Sequence, residues 1–229
     1  MPLGIGISPK AVQTGGGSLT TGTGFNSNAT GTSQFIVSFT STTNTGASAS
    51  DNMGNSYTLL QQRHDTVNGI YISTFGGNTS NGGTNHTFTA SLSSGSIESM
   101  EGIEVLSSAG IDISNNYFNA GSGFPYSTAL STTAPNELVY AFGCLSQIDS
   151  TYYPVTNGGF TQLNINVVDQ NFGSGWVAAP TTGSYDPAWT RSGGSSIYLS
   201  AIMVAFQPII PPFTLSEDGE WFSFKQAQP

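Results

Sequence analysis

Three glutamates fall close together in Glu98-Ser99-Met100-Glu101-Gly102-Ile103-Glu104. Carboxylates at such spacing are the raw material of glycoside hydrolysis, which needs two acids roughly 5–10 Å apart across a cleft, one held protonated. Strand alternation puts Glu98 and Glu104 on one face and Glu101 on the other. The middle acid of a catalytic carboxylate strand is missing, so the three read as solvated strand positions. A second oxygen-rich candidate is Asp51-Asn52-Met53-Gly54-Asn55, which offers calcium-type ligands and a bending glycine without the further acids of a calcium loop. It reads as an Asx-rich turn between strands. His64 and His86 are too isolated for zinc. Serines abound, but no G-x-S-x-G elbow precedes a helix, and with two histidines a Ser-His-Asp triad is only formally possible. Gly15–Gly17 and Asn81-Gly82-Gly83 lack the following helix that phosphate cradling requires. No catalytic, metal or cofactor-binding residue is assigned, and a non-enzymatic role is expected.

Binding chemistry has better material. Sugar sites use exposed aromatic platforms beside Asn, Asp and Gln, and Tyr152, Tyr153, Trp176, Tyr185 and Trp189 cluster with such neighbours. They are candidate glycan contacts, each set against a core reading. Apolar residues near the two ends are candidate docking contacts: Ile5 and Ile7 at one, Phe213, Trp221, Phe222 and Phe224 at the other. Asn28, Asn78 and Asn85 begin N-x-Ser/Thr sequons, which an Asn/Thr-rich chain produces by chance.

The elements that must position these residues are short strands bounded by Gly, Asn, Ser and Thr clusters. Ser33–Thr40 places Phe35, Val37 and Phe39 on one face; Tyr57–Arg63, Gly69–Phe75, His86–Leu92 and Thr161–Val168 follow similar patterns. In Gly102–Ser107, Ile103 and Val105 point inward and Glu104 outward. Leu138–Leu145 and Ile197–Phe206 are apolar on both faces, as central strands covered on both sides or at a subunit contact would be. Further short strands are expected around Trp176 and Trp189. Gly110–Pro135 is polar, dotted with aromatics, and reads as a long loop. No stretch has helical apolar spacing. The expected fold is all-β, a two-sheet antiparallel sandwich of jelly-roll type over residues 19–207. Residues 1–18 form an arm or edge strand with a Gly-rich linker, and 208–229 a proline-hinged arm.

Composition narrows the partners. Only Lys10, Arg63, Arg191 and Lys225 are fixed cations in a chain of formal net charge −9. That excludes the basic stripe that nucleic acid needs, and disfavours an anionic membrane. Charged residues make up 7% of the chain, against about 25% in ordinary soluble proteins, so its polar surface is largely neutral. The lone Cys144 rules out an internal disulfide and reads as a small buried hydrophobe. The N-terminus lacks the basic and apolar regions of a signal peptide, and synthesis in a host cytoplasm is expected.

The series Asp51-Asn52-Met53-Gly54-Asn55-Ser56-Tyr57-Thr58, His86-Thr87-Phe88-Thr89, Pro135-Asn136-Glu137-Leu138-Val139 and the strand Ala201–Phe206 resembles a β-sandwich module. Such modules occur in virion proteins of tailed bacteriophages and in bacterial surface proteins. The resemblance spans roughly residues 19–207 and carries no catalytic motif. It implies a virion-surface structural protein: a capsid decoration or cement protein, or part of a head or tail fibre. Its partners would be other virion proteins and copies of itself, a trimer by analogy, with a host-surface glycan or an adhesin role as the alternative.

Overall fold

The computed structural model describes residues 3–12, 16–28, 33–67, 69–77, 81–119, 125–145, 154–165, 172–191 and 198–209. Phe213, Trp221, Phe222, Phe224, Tyr152 and Tyr153 lie outside the described residues. Among those described there is no helix, and the strands pair antiparallel throughout.

Chain order gives β1 (Gly4–Ile5), β2 (Lys10–Val12), β3 (Ser18–Thr20), β4 (Ser33–Ser41), β5 (Ser48–Asp51), β6 (Tyr57–Asp65), β7 (Ile70–Gly77), β8 (Phe88–Ser91) and β9 (Ile97–Leu106). The second half adds β10 (Ser108–Asn119), β11 (Leu130–Ser131), β12 (Glu137–Leu145), β13 (Pro154–Val155), β14 (Thr161–Ile165), β15 (Phe172–Ala179), β16 (Ser184–Tyr185), β17 (Thr190–Arg191) and β18 (Leu199–Pro208). One main sheet runs β9-β4-β7-β6, with β1 and β2 both on the outer edge of β9. The other runs β10-β18-β12-β15-β14. A small sheet β3-β8-β5 and the ribbons β11-β16 and β13-β17 complete the pairing.

The two main sheets face each other across a core of Ile36, Ile72, Ile103, Val105, Tyr140, Phe142, Ile202, Val204 and Phe206. This is the expected sandwich, although the pairings do not establish a jelly-roll order. Each sheet also buries its outer face. Phe35, Val37, Phe39, Phe75 and Met100 of the first pack with Leu19, Phe88 and Ala90 of the small sheet. Val139, Ala141, Ala201 and Met203 of the second pack with Tyr126, Leu130, Phe160 and Trp189. That extra cover explains why β12 from Leu138 to Leu145 and β18 from Ala201 to Phe206 carry no charged or amide side chain: alternate residues enter different cores within one chain.

Two expectations change. Gly110–Pro135 is not simply a loop, because β10 pairs with β18 along most of its length, from Ser108↔Pro208 to Asn119↔Leu199. Its alternation was masked by asparagines and by bulges between Ser108 and Gly110 and between Ile111 and Ile113. The N-terminal segment takes the edge-strand form: Ile5 pairs with Val105, Lys10 with Glu101 and Val12 with Ser99. Ile5 packs on the inter-sheet core and Ile7 on the core beneath the small sheet, so both serve this chain's own fold.

Candidate functional site

The polar residues with chemical potential gather in two places. The first is the seam where β9 meets the second sheet. Glu101 is fully buried. Its Oε1 accepts the Tyr140 hydroxyl, and its Oε2 accepts Ser174 Oγ at 2.7 Å and Asn164 Nδ2 at 2.9 Å. Asn164 Nδ2 also donates to the Ser8 carbonyl at 3.0 Å, and Lys10 Nζ donates to the Ile165 carbonyl at 2.6 Å. Tyr140 extends the network to Ser38 Oγ at 3.2 Å, which meets Thr74 Oγ1 at 2.9 Å. Burial pushes the Glu101 carboxyl above its ordinary value, while these donors and the nearby Lys10 charge pull the other way. Burial and the Glu101 charge raise Tyr140.

The second place joins three loops. Ser27 Oγ accepts the Gly83 N–H at 3.0 Å and lies 2.6 Å from His86 Nδ1. Asp51 Oδ2, an ionised carboxylate that can only accept, takes the His86 Nε2 proton at 3.0 Å. Asp51 also accepts Met53 N and Asn55 N at 3.0 Å, Asn55 Nδ2 at 2.6 Å and the Tyr57 hydroxyl at 2.8 Å. Burial raises the Asp51 carboxyl, but the donors outweigh it and hold the group at about 2. The same contact with burial raises Tyr57.

This trio has the connectivity of a Ser-His-Asp relay without the rest of the machinery. An acyl-transfer site needs N–H groups free to meet an oxyanion. Here the Gly83 N–H is spent on Ser27 Oγ, and the Asn28 N–H donates to Glu104 Oε1 at 2.8 Å. The His86 ring is fully buried between Phe35, edge-on at 4.7 Å, and Phe88, stacked at 4.4 Å. The arrangement fastens the loops at 25–28, 51–57 and 81–86 to each other. No family model matches this chain, and neither does any curated protein or solved structure. The site must therefore be judged on its geometry.

The glutamates depart from the solvated reading. Glu104, expected outward, is buried and accepts Ser33 Oγ at 2.7 Å besides the Asn28 N–H. Its face is covered by the 25–28 loop, which alternation along one strand does not reveal. Glu101 is buried because the second sheet lies over its face. The Asp51–Asn55 segment is the Asx turn: its carboxylate is saturated by backbone and side-chain donors, and Gly54 takes a φ of 77°. Burial and the Asp65 charge push the Cys144 thiol up to about 12, as suits a core residue.

The candidate glycan cluster does not form a platform among the described residues. Trp189 is fully buried, its indole N–H donates to Thr128 Oγ1 at 2.8 Å, and it exchanges backbone hydrogen bonds with Tyr126. An indole packed against Gly143 cannot stack on a sugar. Trp176 is half-buried on the inter-sheet core, and Tyr185 packs against the other core with its hydroxyl on the Thr181 carbonyl at 2.7 Å. Sequence reasoning missed the pairing of Ser27 with His86 and of Asn164 with Glu101, which lie 59 and 63 residues apart. No local motif marks either pair.

Proposed function

We propose that this chain is a non-enzymatic structural protein of a bacteriophage particle, decorating or cementing the capsid or forming part of a head or tail fibre. The observation that carries the non-enzymatic reading is the internal saturation of the two polar clusters described above. Glu101, Glu104 and the Ser27–His86–Asp51 trio are buried and spend their hydrogen-bonding capacity on one another and on the backbone. The particle context rests on the sequence resemblance and on the sparse, neutral polar composition. Self-limiting edges agree with a surface role: Gln61 Nε2 takes the Ser114 carbonyl of β10, Asn115 Oδ1 takes the Asn116 N–H, and Gln162 Nε2 takes the Asn164 carbonyl of β14. Edge strands blunted in this way resist uncontrolled sheet extension.

Quantitative mass spectrometry of density-banded particles from a producing culture tests the reading. Full-length protein is expected at many copies per particle, and a chain ending at residue 209 at reduced occupancy. Absence of the full-length protein from banded particles would overturn the proposal.

A further inference from the structure

Lys10 and Glu101 are directly paired across β2 and β9, so their side chains share a face, the one turned toward the second sheet. Opposite them, Asn164 of β14 holds its carboxamide nitrogen 2.9 Å from Glu101 Oε2. The Lys10 amine reaches the same strand and sits 2.6 Å from the carbonyl of Ile165, the residue after Asn164. A primary amine, a carboxamide and a fully buried carboxyl group therefore meet at one seam. We propose that Lys10 and Asn164 become joined by an intramolecular isopeptide bond, with Glu101 carrying the protons.

The chemistry balances without a cofactor. Once Lys10 Nζ turns from the Ile165 carbonyl toward Glu101, the Glu101 carboxylate takes a proton from the ammonium, and the freed amine attacks Asn164 Cγ, forming the Nζ–Cγ bond. Glu101 returns a proton to Nδ2, the Cγ–Nδ2 bond breaks, and ammonia leaves. The proton released by the attacking nitrogen goes with it as ammonium, so Glu101 ends as it began. No electron transfer is involved. Lys10 is exposed at the rim of the seam, which gives the ammonia a way out. The Asn164–Ser8 hydrogen bond holds the carboxamide against the N-terminal segment beforehand, and Ser174 and Tyr140 hold the carboxyl.

The consequence is a covalent clasp between the outer edge of one sheet and the edge of the other. A chain with a single, buried cysteine has no disulfide to do this. A bond closing so long a loop stabilises chiefly by restricting the unfolded chain.

Intact-mass spectrometry of the purified full chain is the test. The wild type is expected to be about 17 Da lighter than its sequence mass, the mass of one lost ammonia. Digestion should yield one branched peptide containing Lys10 and Asn164. Lys10→Arg, Asn164→Ala and Glu101→Gln should each have the full sequence mass for the variant, and Lys10→Arg, at the exposed rim, serves if Glu101→Gln does not fold. Wild-type protein at full sequence mass would overturn the proposal. So would a 17 Da loss that persists in Lys10→Arg, because that marks asparagine cyclisation instead.

Discussion

At the start of β12, Glu137 offers a sharp test of how this fold handles buried acids. Its Oε1 accepts the Ala134 N–H at 3.0 Å, and the residue is almost wholly buried beside Asp112. Asp112 is itself held by Thr133 Oγ1 at 2.6 Å and Gln207 Nε2 at 2.9 Å. Burial first, and then the Asp112 charge, push the Glu137 carboxyl from 4.5 to about 7. The folded state thus keeps a proton that the unfolded chain gives up. This contribution is fully present below pH 4.5, falls as pH rises between 4.5 and about 7, and is gone above that. In a dry site that span corresponds to about 3 kcal/mol. Solvent screening at the strand end reduces the expected effect to about 1 kcal/mol. Glu137→Gln removes the titration while keeping the shape and the bond to Ala134. Urea unfolding followed by tryptophan fluorescence at pH 4.5, 6, 7 and 8 should show the variant losing less stability than the wild type across the window. Equal pH slopes for the two proteins would refute the reasoning.

Asp51 should act at the other end of the scale. Held at about 2, its contribution is present above its ordinary 3.8 and lost as pH falls through 2, so Asp51→Asn should flatten the acid limb of a melting-temperature profile. Trp189→Ala should cost about 3–5 kcal/mol in chemical denaturation, because it empties a fully buried site and removes the indole N–H that donates to Thr128 Oγ1. Gly102→Ala should destabilise by about 1–3 kcal/mol, since a Cβ there collides with the Phe88 ring, which the small sheet holds against the outer face of the first main sheet. A Gly102→Ala variant as stable as wild type would show that the small sheet sits more loosely on the first main sheet than this contact requires.

The sequence made the strands legible where one face is dry and the other wet. Thr87 and Thr89 alternating with Phe88 and Ala90 gave β8, and Phe35, Val37 and Phe39 gave one face of β4. The double cover of β12 and β18 was also legible, because Leu138–Leu145 and Ala201–Phe206 are apolar on both faces. Failures came where long-range contact overrides local pattern. Glu104 alternates as an outward residue, yet the 25–28 loop folds over it. β10 carries so many asparagines that its pairing shows only once β18 is beside it. Trp189 sits in a loop-like stretch rich in turn residues, and its burial depends on the Tyr126 segment crossing over it. Ser27, His86 and Asp51 are joined by topology alone.

On the proposed function, the buried polar groups hold the body together and the exterior makes the particle contacts. Particle association of a Ser27→Ala, Glu101→Gln double variant, compared with wild type at a temperature where circular dichroism shows both folded, tests it most directly. Equal copy number on banded particles is expected, whatever the loss in melting temperature. A folded double variant that no longer associates would place function in those buried groups and contradict it.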